Sequence, residues 1–341
     1  MCYDVTIGIP VYQAQDYIEK AMVSVLAQTY MSIEFLLIDD GSSDSSLDII
    51  NKIKAKHPRG NDIHIKKHEQ NLGVSHTRNH IIEEALGEYL YFMDADDIIK
   101  EDTIELLITK IREHNADIAF GSYEKIKISG EHEIYQYPEC YYIENDDFAN
   151  FAYRKYFGIQ ASACNYLVRL SVIKERGLRF MKSKFWEDTV FTLELVTYIQ
   201  RAVLLPTITY IYLLRPNSLS DIQLEDCINK EEIIRYFNTV AKLKERKEVL
   251  FSKTYFPKRC YIAVMSDVYI ICNILKRWNY ITPPFTYNEL KNNMTHPASL
   301  KEILSFKTMR IRNLILYLLS KLPASISIYI IKEAGKKKGF I

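Results

Sequence analysis

Tyr89-Leu90-Tyr91-Phe92-Met93-Asp94-Ala95-Asp96-Asp97 is an apolar run of strand length that stops on three carboxylates within four residues. A strand buried on both faces of a parallel sheet reads as such an unbroken run, and polar groups return only at its end. The pattern occurs twice upstream. Val5 to Pro10 runs into Val11-Tyr12, and Phe35 to Ile38 runs into Asp39-Asp40-Gly41. Helical spacing fills the gaps, with Ile18, Met22, Val25 and Leu26 over 16–28 and Leu47, Ile50 and Ile53 after Ser45-Ser46. Ile63 to His68 reads as a weak strand, and Ile81, Ile82 and Ala85 place a helix over 74–86. Asp16 with Glu19 predicts a capping box for the first helix, Ser45 or Ser46 a cap for the second, and Gly87 a stop for the third. Strands alternating with helices predict an α/β fold, with a mixed, mainly parallel sheet flanked by helices. Ligands of such sheets bind outside the carboxyl ends of the strands, so three polar ends converge on one crevice.

The pattern loosens downstream. Ile104, Leu107, Ile108 and Ile111 predict a helix over 103–114, and 117–129 and 133–143 read as strands of an aromatic-rich half. A helix near 146–157, a strand near 164–168 and a helix carrying Val190, Phe191, Leu195 and Tyr198 follow. Strands near 202–205 and 208–214 lead to Arg215-Pro216-Asn217-Ser218, and the chain reads as helical from 222 onward. There is no internal repeat or low-complexity stretch. Apolar residues at 48% and charged residues at 26% exclude a disordered chain. At 341 residues, domains of about 150 predict two. The net charge of +1 excludes a generally basic nucleic-acid binder. Six cysteines without C-x-x-C spacing fit a reducing cytosol better than zinc or a disulfide framework. The start Met1-Cys2-Tyr3-Asp4 lacks a secretory leader pattern, and no run of about 20 apolar residues predicts a membrane span.

Each candidate motif has two readings when taken alone. Asp94 and Asp96 could share Mg²⁺ or Mn²⁺, which take oxygen ligands and bridge to phosphate, or form a solvated turn capping a helix. Asp39-Asp40-Gly41-Ser42-Ser43-Asp44 could be a turn with a helix cap or a carboxylate held against a base or ribose. Tyr12 could be a core ring or one that stacks on a nucleobase. His76 and His80 stand at metal-ligand spacing on one helix, but no third ligand is evident. No G-x-x-x-x-G-K-[ST] occurs, which excludes a P-loop NTPase.

Taken in order, Ile9-Pro10-Val11-Tyr12, Asp39 to Asp44, Asn71 to Asn79, and Gly87-Glu88-Tyr89 to Asp97 closely resemble glycosyltransferase family 2. These are inverting, nucleotide-sugar-dependent enzymes, and the resemblance covers residues 4–220. It implies the GT-A (nucleotide-diphospho-sugar transferase) fold. The implied division is a domain over 1–220, with a nucleotide-binding half at 1–100 and an acceptor and catalytic half at 101–220, then a helical region over 221–341. The resemblance places Pro10, Tyr12 and Asp40 at the nucleotide base, with Asp39 nearby, and Arg78 beside the nucleotide. Asp94, Ala95 and Asp96 match the D-x-D that grips ribose and metal–diphosphate, with Mn²⁺ or Mg²⁺ as cofactor, and Asp97 follows. Glu187-Asp188 matches the family's E-D pair, with Asp188 as general base. Arg215, Asn217 and Ser218 resemble an R-x-N-S segment that closes near the diphosphate.

The residue types suit the chemistry. Single displacement at an anomeric carbon needs a base for the acceptor hydroxyl and positive charge at the leaving group. The two lie on opposite faces of the sugar, so configuration inverts, as in inverting glycoside hydrolysis. Without the resemblance, Asp188 would read as a helix N-cap.

By resemblance, the donor is a UDP-sugar. The acceptor is a saccharide, lipid-linked, in bacterial capsule, exopolysaccharide or lipopolysaccharide synthesis. The sugar itself, a hexose or N-acetylhexosamine, is not readable. Two departures concern the donor. Gln13 stands where the family commonly has Asn, and Gly8 within a strand marks a close backbone approach. Arg277-Trp278 lacks the Gln of the processive Q-x-x-R-W, because Ile274 holds that place. The expectation is therefore one sugar per acceptor, with Trp278 packed in a helical segment. A non-catalytic scaffold of the same fold is the alternative. A nucleotidyltransferase would want a Gly/Lys-rich loop, and Pro10 to Asp16 has neither residue.

Residues 301–341 hold nine Lys/Arg against two Glu, around the apolar runs 313–320 and 322–331. The tail reads either as a helix pair packed on the body or as an anchor lying on anionic headgroups. The second reading places the protein in the cytoplasm, peripheral on the inner face of the plasma membrane.

Overall fold

The first four strands are β1 (Val5–Val11), β2 (Ile33–Asp39), β3 (Ile63–Lys67) and β4 (Tyr89–Phe92). They run parallel in the order β3-β2-β1-β4 in a computed structural model that describes residues 3–144, 146–154, 158–215 and 228–341. The chain divides into two compact units. The first comprises Met1–Phe148, Ala161–Met181 and Glu194–Asp221, and the second Ala149–Gln160, Lys182–Leu193 and Ile222–Ile341.

In the first unit, every residue of β2 is buried, Glu34 and Asp39 included. Burying each of Phe35, Leu36, Leu37 and Ile38 is worth about 1.5–3 kcal/mol. The Glu34 carboxylate accepts from Thr6 Oγ1 (2.6 Å) and the Leu86 amide (2.9 Å), and meets His64 Nδ1 (2.8 Å). A buried carboxylate needs such partners to offset its lost hydration. Helices α1 (Ile18–Leu26), α2 (Ser46–Lys56) and α3 (Val74–Glu84) connect these strands. Further along the chain come β5 (Ile98–Ile99), α4 (Thr103–His114), β6 (Ile118–Ile126), β7 (His132–Tyr135), β8 (Cys140–Tyr142), α5 (Asp147–Ala152), β9 (Tyr166–Arg169), α6 (Leu170–Glu175), α7 (Glu187–Val196) and β10 (Ala202–Leu213), of which α5 and α7 fall mostly in the second unit. The sheet continues from β4 as β9-β6-β10-β5, with β7 on β6 and β8 on β10. β9 is antiparallel to both neighbours, and β10 is parallel to β6. The expected mixed sheet flanked by helices is therefore present, and its parallel pairs concentrate in the first hundred residues.

Several local expectations need correction. Asp16 and Glu19 make no capping box. α1 begins after Tyr17 without a side-chain cap, because the Ala14 carbonyl accepts from the Tyr17 and Ile18 amides (2.9 and 2.8 Å). Neither Ser45 nor Ser46 caps α2 through its side chain. Asp44 Oδ1 instead accepts from the Ser46 amide (3.0 Å) and hydroxyl (2.6 Å). Gly87 does not stop α3, which ends at Glu84 with Ala85 after it. A Cβ at Gly87 would lie 2.4 Å from the Thr6 nitrogen and 2.6 Å from the Val5 carbonyl carbon, so close approach to β1 requires glycine there. The strand expected over 133–143 is two strands, β7 and β8, with Pro138 in the gap, where a residue without an amide donor cannot continue a ladder. The helix expected over 146–157 spans Asp147–Ala152, and residues 155–157 lie outside the described residues. The two strands expected over 202–214 form one, β10, whose register against β6 shifts between Leu204 and Ile208, around Pro206.

At Gly8 the close approach is made by a side chain rather than by another backbone. A Cβ there would sit 2.3 Å from Ile81 Cγ2, so α3 lies close on β1. Arg78 is one helical turn before Ile81 and shares its face.

The second unit is helical where described. A short parallel pair, β11 (Ile228–Asn229) and β12 (Ile281–Thr282), frames α8 (Lys230–Ala241), α9 (Lys247–Leu250) and α10 (Phe256–Lys276). There follow α11 (Tyr287–Asn292), α12 (Leu300–Ser305), α13 (Arg310–Lys321) and α14 (Ala324–Lys337). Phe237, Ile271, Leu290, Ile328 and Ile331 belong to its core, and Trp278 packs against it from a 3₁₀ turn. Buried Arg259 donates to the Tyr153 hydroxyl (2.7 Å) and the Lys242 carbonyl (3.2 Å). Asp267, pushed up to about 7 by burial against the pull of Lys244, lies 2.6 Å from that ammonium. Among the described residues no helix is long and apolar enough to cross a membrane.

Gly87→Ala should lower the midpoint of urea unfolding at unchanged slope, a loss of about 1–3 kcal/mol, because backbone on both sides cannot yield. An unchanged midpoint would contradict this account of the β1 contact.

Candidate active site

The carboxyl ends of β2, β1 and β4 lie side by side, with Val11 in register with Asp39 and Gly8 with Phe92. The loops leaving β1 and β2 are zipped together. Gln13, at φ 48°, donates its amide to Ser42 Oγ (3.1 Å), and its Oε1 accepts from the Ser43 and Asp44 amides (3.1 and 3.2 Å). Ala14 donates to Ser46 Oγ (2.8 Å) and Gln15 to Asp44 Oδ2 (3.0 Å). Gln13 is thus a loop clamp, a role the sequence signalled only by its position after Tyr12. Pro10 is half-buried in β1, and the Tyr12 ring stands 49% exposed at its end, open to a stacking partner.

Asp39 and Asp40 are both buried and engaged. Asp39 accepts from the Ser42 amide (3.2 Å), with Lys67 Nζ at 3.9 Å. Asp40 accepts from the Leu72 amide (3.0 Å) and the Gly73 amide (2.8 Å) and meets His68 Nδ1 (2.7 Å). His68 Nε2 in turn meets His80 Nδ1 (2.9 Å). Burial first, then His68, hold the His80 pKa below its ordinary value. Asp40 therefore shapes the loop from β3 to α3. His80, considered from spacing as a metal ligand, belongs to this chain, with the His76 ring edge-on to His68 at 5.0 Å.

The acidic turn follows β4. The Asp97 amide donates to the Asp94 carbonyl (3.2 Å), closing the turn. Tyr210 of β10 braces it, its hydroxyl donating to Asp97 Oδ2 (2.7 Å) and accepting from the Asp94 amide (3.2 Å). The Leu213 amide donates to Asp97 Oδ1 (2.9 Å). No feature of the sequence pointed to Tyr210. Ala95 is buried between the carboxylates. Asp94 and Asp96 reach outward to guanidinium groups. Arg78 Nη2 is 3.0 Å from Asp94 Oδ1, with its guanidinium 5.5 Å from the Phe180 ring. Arg215 Nε bonds Asp96 Oδ2, with its guanidinium 4.6 Å over Tyr17. Burial and then the Asp94 and Asp96 charges push the Asp97 carboxyl well above the usual range. Burial and then Asp94 raise Asp96 too, against the pull of Arg215.

Asp94 and Asp96 offer carboxylate oxygens from one turn, and oxygen is the donor that Mg²⁺ and Mn²⁺ prefer. Among the described residues no cluster of three or more His, Cys, Asp or Glu could cage a metal. Mg²⁺ seldom uses such cages, binding through one or two carboxylates plus water and phosphate oxygens. Asp94 and Asp96 fit that requirement.

Glu187 and Asp188 open α7 and belong to the second unit. Glu187 is buried and Asp188 half-buried. Trp186 precedes them at φ 74°. Asp188 Oδ1 accepts from the Thr189 amide (2.6 Å) and hydroxyl (3.3 Å), one residue inside the helix rather than at its N-cap. Asn217 and Ser218 lie outside the described residues.

Comparison with known proteins agrees with this architecture. The chain is 25% identical over 308 residues to glycosyltransferase GlyA of Streptococcus pneumoniae serotype 4, across 87% of this chain and 42% of GlyA. It is 33% identical over 126 residues to TuaG of Bacillus subtilis, a putative teichuronic acid biosynthesis glycosyltransferase, across 37% of this chain and 49% of TuaG. The matches thus span less than half the length of either relative. S. aureus TarS, solved over residues 1–349 with UDP-GlcNAc, superposes with a TM-score of 0.68 at 17% identity, covering 98% of this chain and 92% of that one, and so shares the GT-A fold. The family model described as glycosyl transferase family 2 matches residues 6–177, half of the chain, and the chain belongs to that family.

Proposed function

We propose that the protein is a metal-dependent inverting glycosyltransferase that moves one hexose or N-acetylhexosamine from a UDP-sugar to a hydroxyl of a cell-surface saccharide. The observation that carries this is the acidic turn, where Asp94 and Asp96 are each paired with a guanidinium, Arg78 and Arg215. TarS, which binds UDP-GlcNAc, and TuaG, named for teichuronic acid synthesis, support the donor and acceptor class. The acceptor is lipid-linked, so the enzyme works in the cytoplasm at the inner membrane surface.

In this reading Tyr12 stacks on the base, with Pro10 and Asp39 beside it, and Asp40 fixes the loop that carries α3. Asp94 and Asp96 hold Mn²⁺ or Mg²⁺, which would supply positive charge at the diphosphate. Ala95, lacking a bulky side chain, leaves the ribose room beside them. Arg78 and Arg215 donate to diphosphate oxygens, with Ser218 in the segment after Arg215. Asp188, seated beside Glu187, takes the acceptor hydroxyl proton as the oxygen–carbon bond forms. The bond from the anomeric carbon to the UDP oxygen breaks, UDP leaves with the electron pair, and configuration inverts.

Asp96→Ala should abolish the Mn²⁺-dependent part of UDP binding, read by thermal shift. A shift equal to wild type would remove the turn from the donor site. Asp188→Asn should keep that shift but lose about 10²–10⁴-fold in UDP release from the best of UDP-glucose, UDP-galactose and their N-acetyl forms with a membrane lipid extract as acceptor. Full turnover would exclude Asp188 as base. Metal affinity should depend on pH. Burial and Asp94 raise the Asp96 carboxyl, so protons compete with Mn²⁺ above the ordinary carboxylate range. Mn²⁺ affinity should therefore fall as pH drops, starting above the range in which an ordinary carboxylate protonates. A flat profile down to that range would contradict the assignment.

A further inference from the structure

The terminal helices α13 and α14 present two unlike faces. Their inner faces pack on the second unit. Asn313 of α13 donates to the Pro257 carbonyl at the start of α10 (2.9 Å), and Ile328 and Ile331 of α14 join the core that contains Ile270 and Ile271 of α10. Their outer faces carry exposed apolar residues. Ile311, Ile315 and Leu318 of α13 are 72%, 59% and 52% exposed, at the i, i+4, i+7 spacing of one stripe. On α14, Tyr329 and Ile330 are exposed as well. Both helices turn their buried sides to α10, so both apolar sides look away from it. A helix that merely packs on a body carries its apolar residues inward and its polar residues outward. Here asparagine and serine (Asn313, Ser327) are buried and isoleucine is exposed.

Charge identifies the occupant. Residues 307–341 hold eight Lys/Arg against the single Glu333. Glu333 is paired with Lys336 at 2.8 Å, and among the described residues Arg310, Arg312, Lys321 and Lys332 have no carboxylate partner. On a helical wheel Arg310 and Lys321 fall on one side of the α13 stripe and Arg312 on the other. A second copy seated on this face would oppose two such cationic rims, which like-charge repulsion disfavours. A bilayer of anionic lipid presents the complementary layers: phosphates for the Lys/Arg heads and hydrocarbon for the stripe, with the long side chains bridging the two.

We propose that the outer faces of α13 and α14 dock on an anionic lipid surface, with the stripe Ile311-Ile315-Leu318 in the acyl boundary and the flanking Arg and Lys on lipid phosphates. This rests on the glycosyltransferase reading only in that it gives the lipid-linked acceptor a location.

The test is flotation of the full chain with vesicles of phosphatidylcholine containing about one third phosphatidylglycerol, against pure phosphatidylcholine. The chain should float with the anionic vesicles and release as salt rises. Ile311→Ser/Ile315→Ser/Leu318→Ser and, separately, Arg312→Glu/Lys321→Glu should each weaken flotation at least about tenfold. All five changes sit on exposed sides, so the UDP thermal shift should persist in both variants; its retention separates failure here from failure of the donor reading. A chain that stays in the pellet, or variants that float like wild type, would overturn the proposal. So would a dimer in gel filtration that the serine variant dissociates, which would assign the face to a second copy.

Discussion

Five carboxylates crowd the ends of the two strands that flank β1: Asp39 and Asp40 at the end of β2, and Asp94, Asp96 and Asp97 after β4. Negative charge so concentrated beside an apolar sheet must be compensated. The protein does so in two ways. Asp39, Asp40 and Asp97 are answered chiefly by fixed groups: backbone amides, His68 and the Tyr210 hydroxyl. Asp94 and Asp96 are answered by Arg78 and Arg215, long side chains that reach them from α3 and from the end of β10. Compensation by backbone is permanent. A carboxylate compensated by a side-chain cation can share its oxygens with a second cation. That difference sorts the framework carboxylates from those assigned to metal and diphosphate.

The sheet makes this arrangement possible by letting elements approach closely. Without a side chain at Gly8, Ile81 lies directly on β1, and Arg78 on the same face of α3 is carried toward the acidic turn. Gly87 lets the chain returning from α3 pass against the β1 backbone before entering β4. Gln13 and Asp44 lock the β1 and β2 loops to one another, which fixes the rim on which Tyr12 stands. Each contact is small, but together they place Tyr12, Arg78 and Asp94 on one edge of one sheet.

Much of this was legible in the sequence, and the part that was not has a common cause. Buried strands announce themselves by unbroken apolar runs, so the four parallel strands and their polar ends could be located from periodicity. The acidic turn could be located as the polar end of β4 and the Glu187-Asp188 helix start from the spacing that follows it, whereas Arg78 was singled out by the family resemblance alone. Sequence could not give the direction in which a side chain bonds. Asp40 reads the same whether it faces a nucleotide or the Leu72 and Gly73 amides. Asp44 rather than Ser45 holds the start of α2, and Gly87 serves a close approach rather than a helix end. Tyr210 lies 113 residues from the Asp97 it braces, and no local pattern links them. The terminal helices were ambiguous for another reason: packing and docking readings differ only in which face is buried, and spacing alone does not say which face meets the body.

The central claim is that the acidic turn binds cation and nucleotide diphosphate as one unit. The most direct measurement is calorimetric titration of UDP with and without saturating Mn²⁺, and of Mn²⁺ with and without UDP. The account predicts that each ligand tightens the other by the same factor, at least about tenfold, since coupling between two sites is reciprocal. Independent binding, with each affinity unchanged by the other ligand, would contradict it.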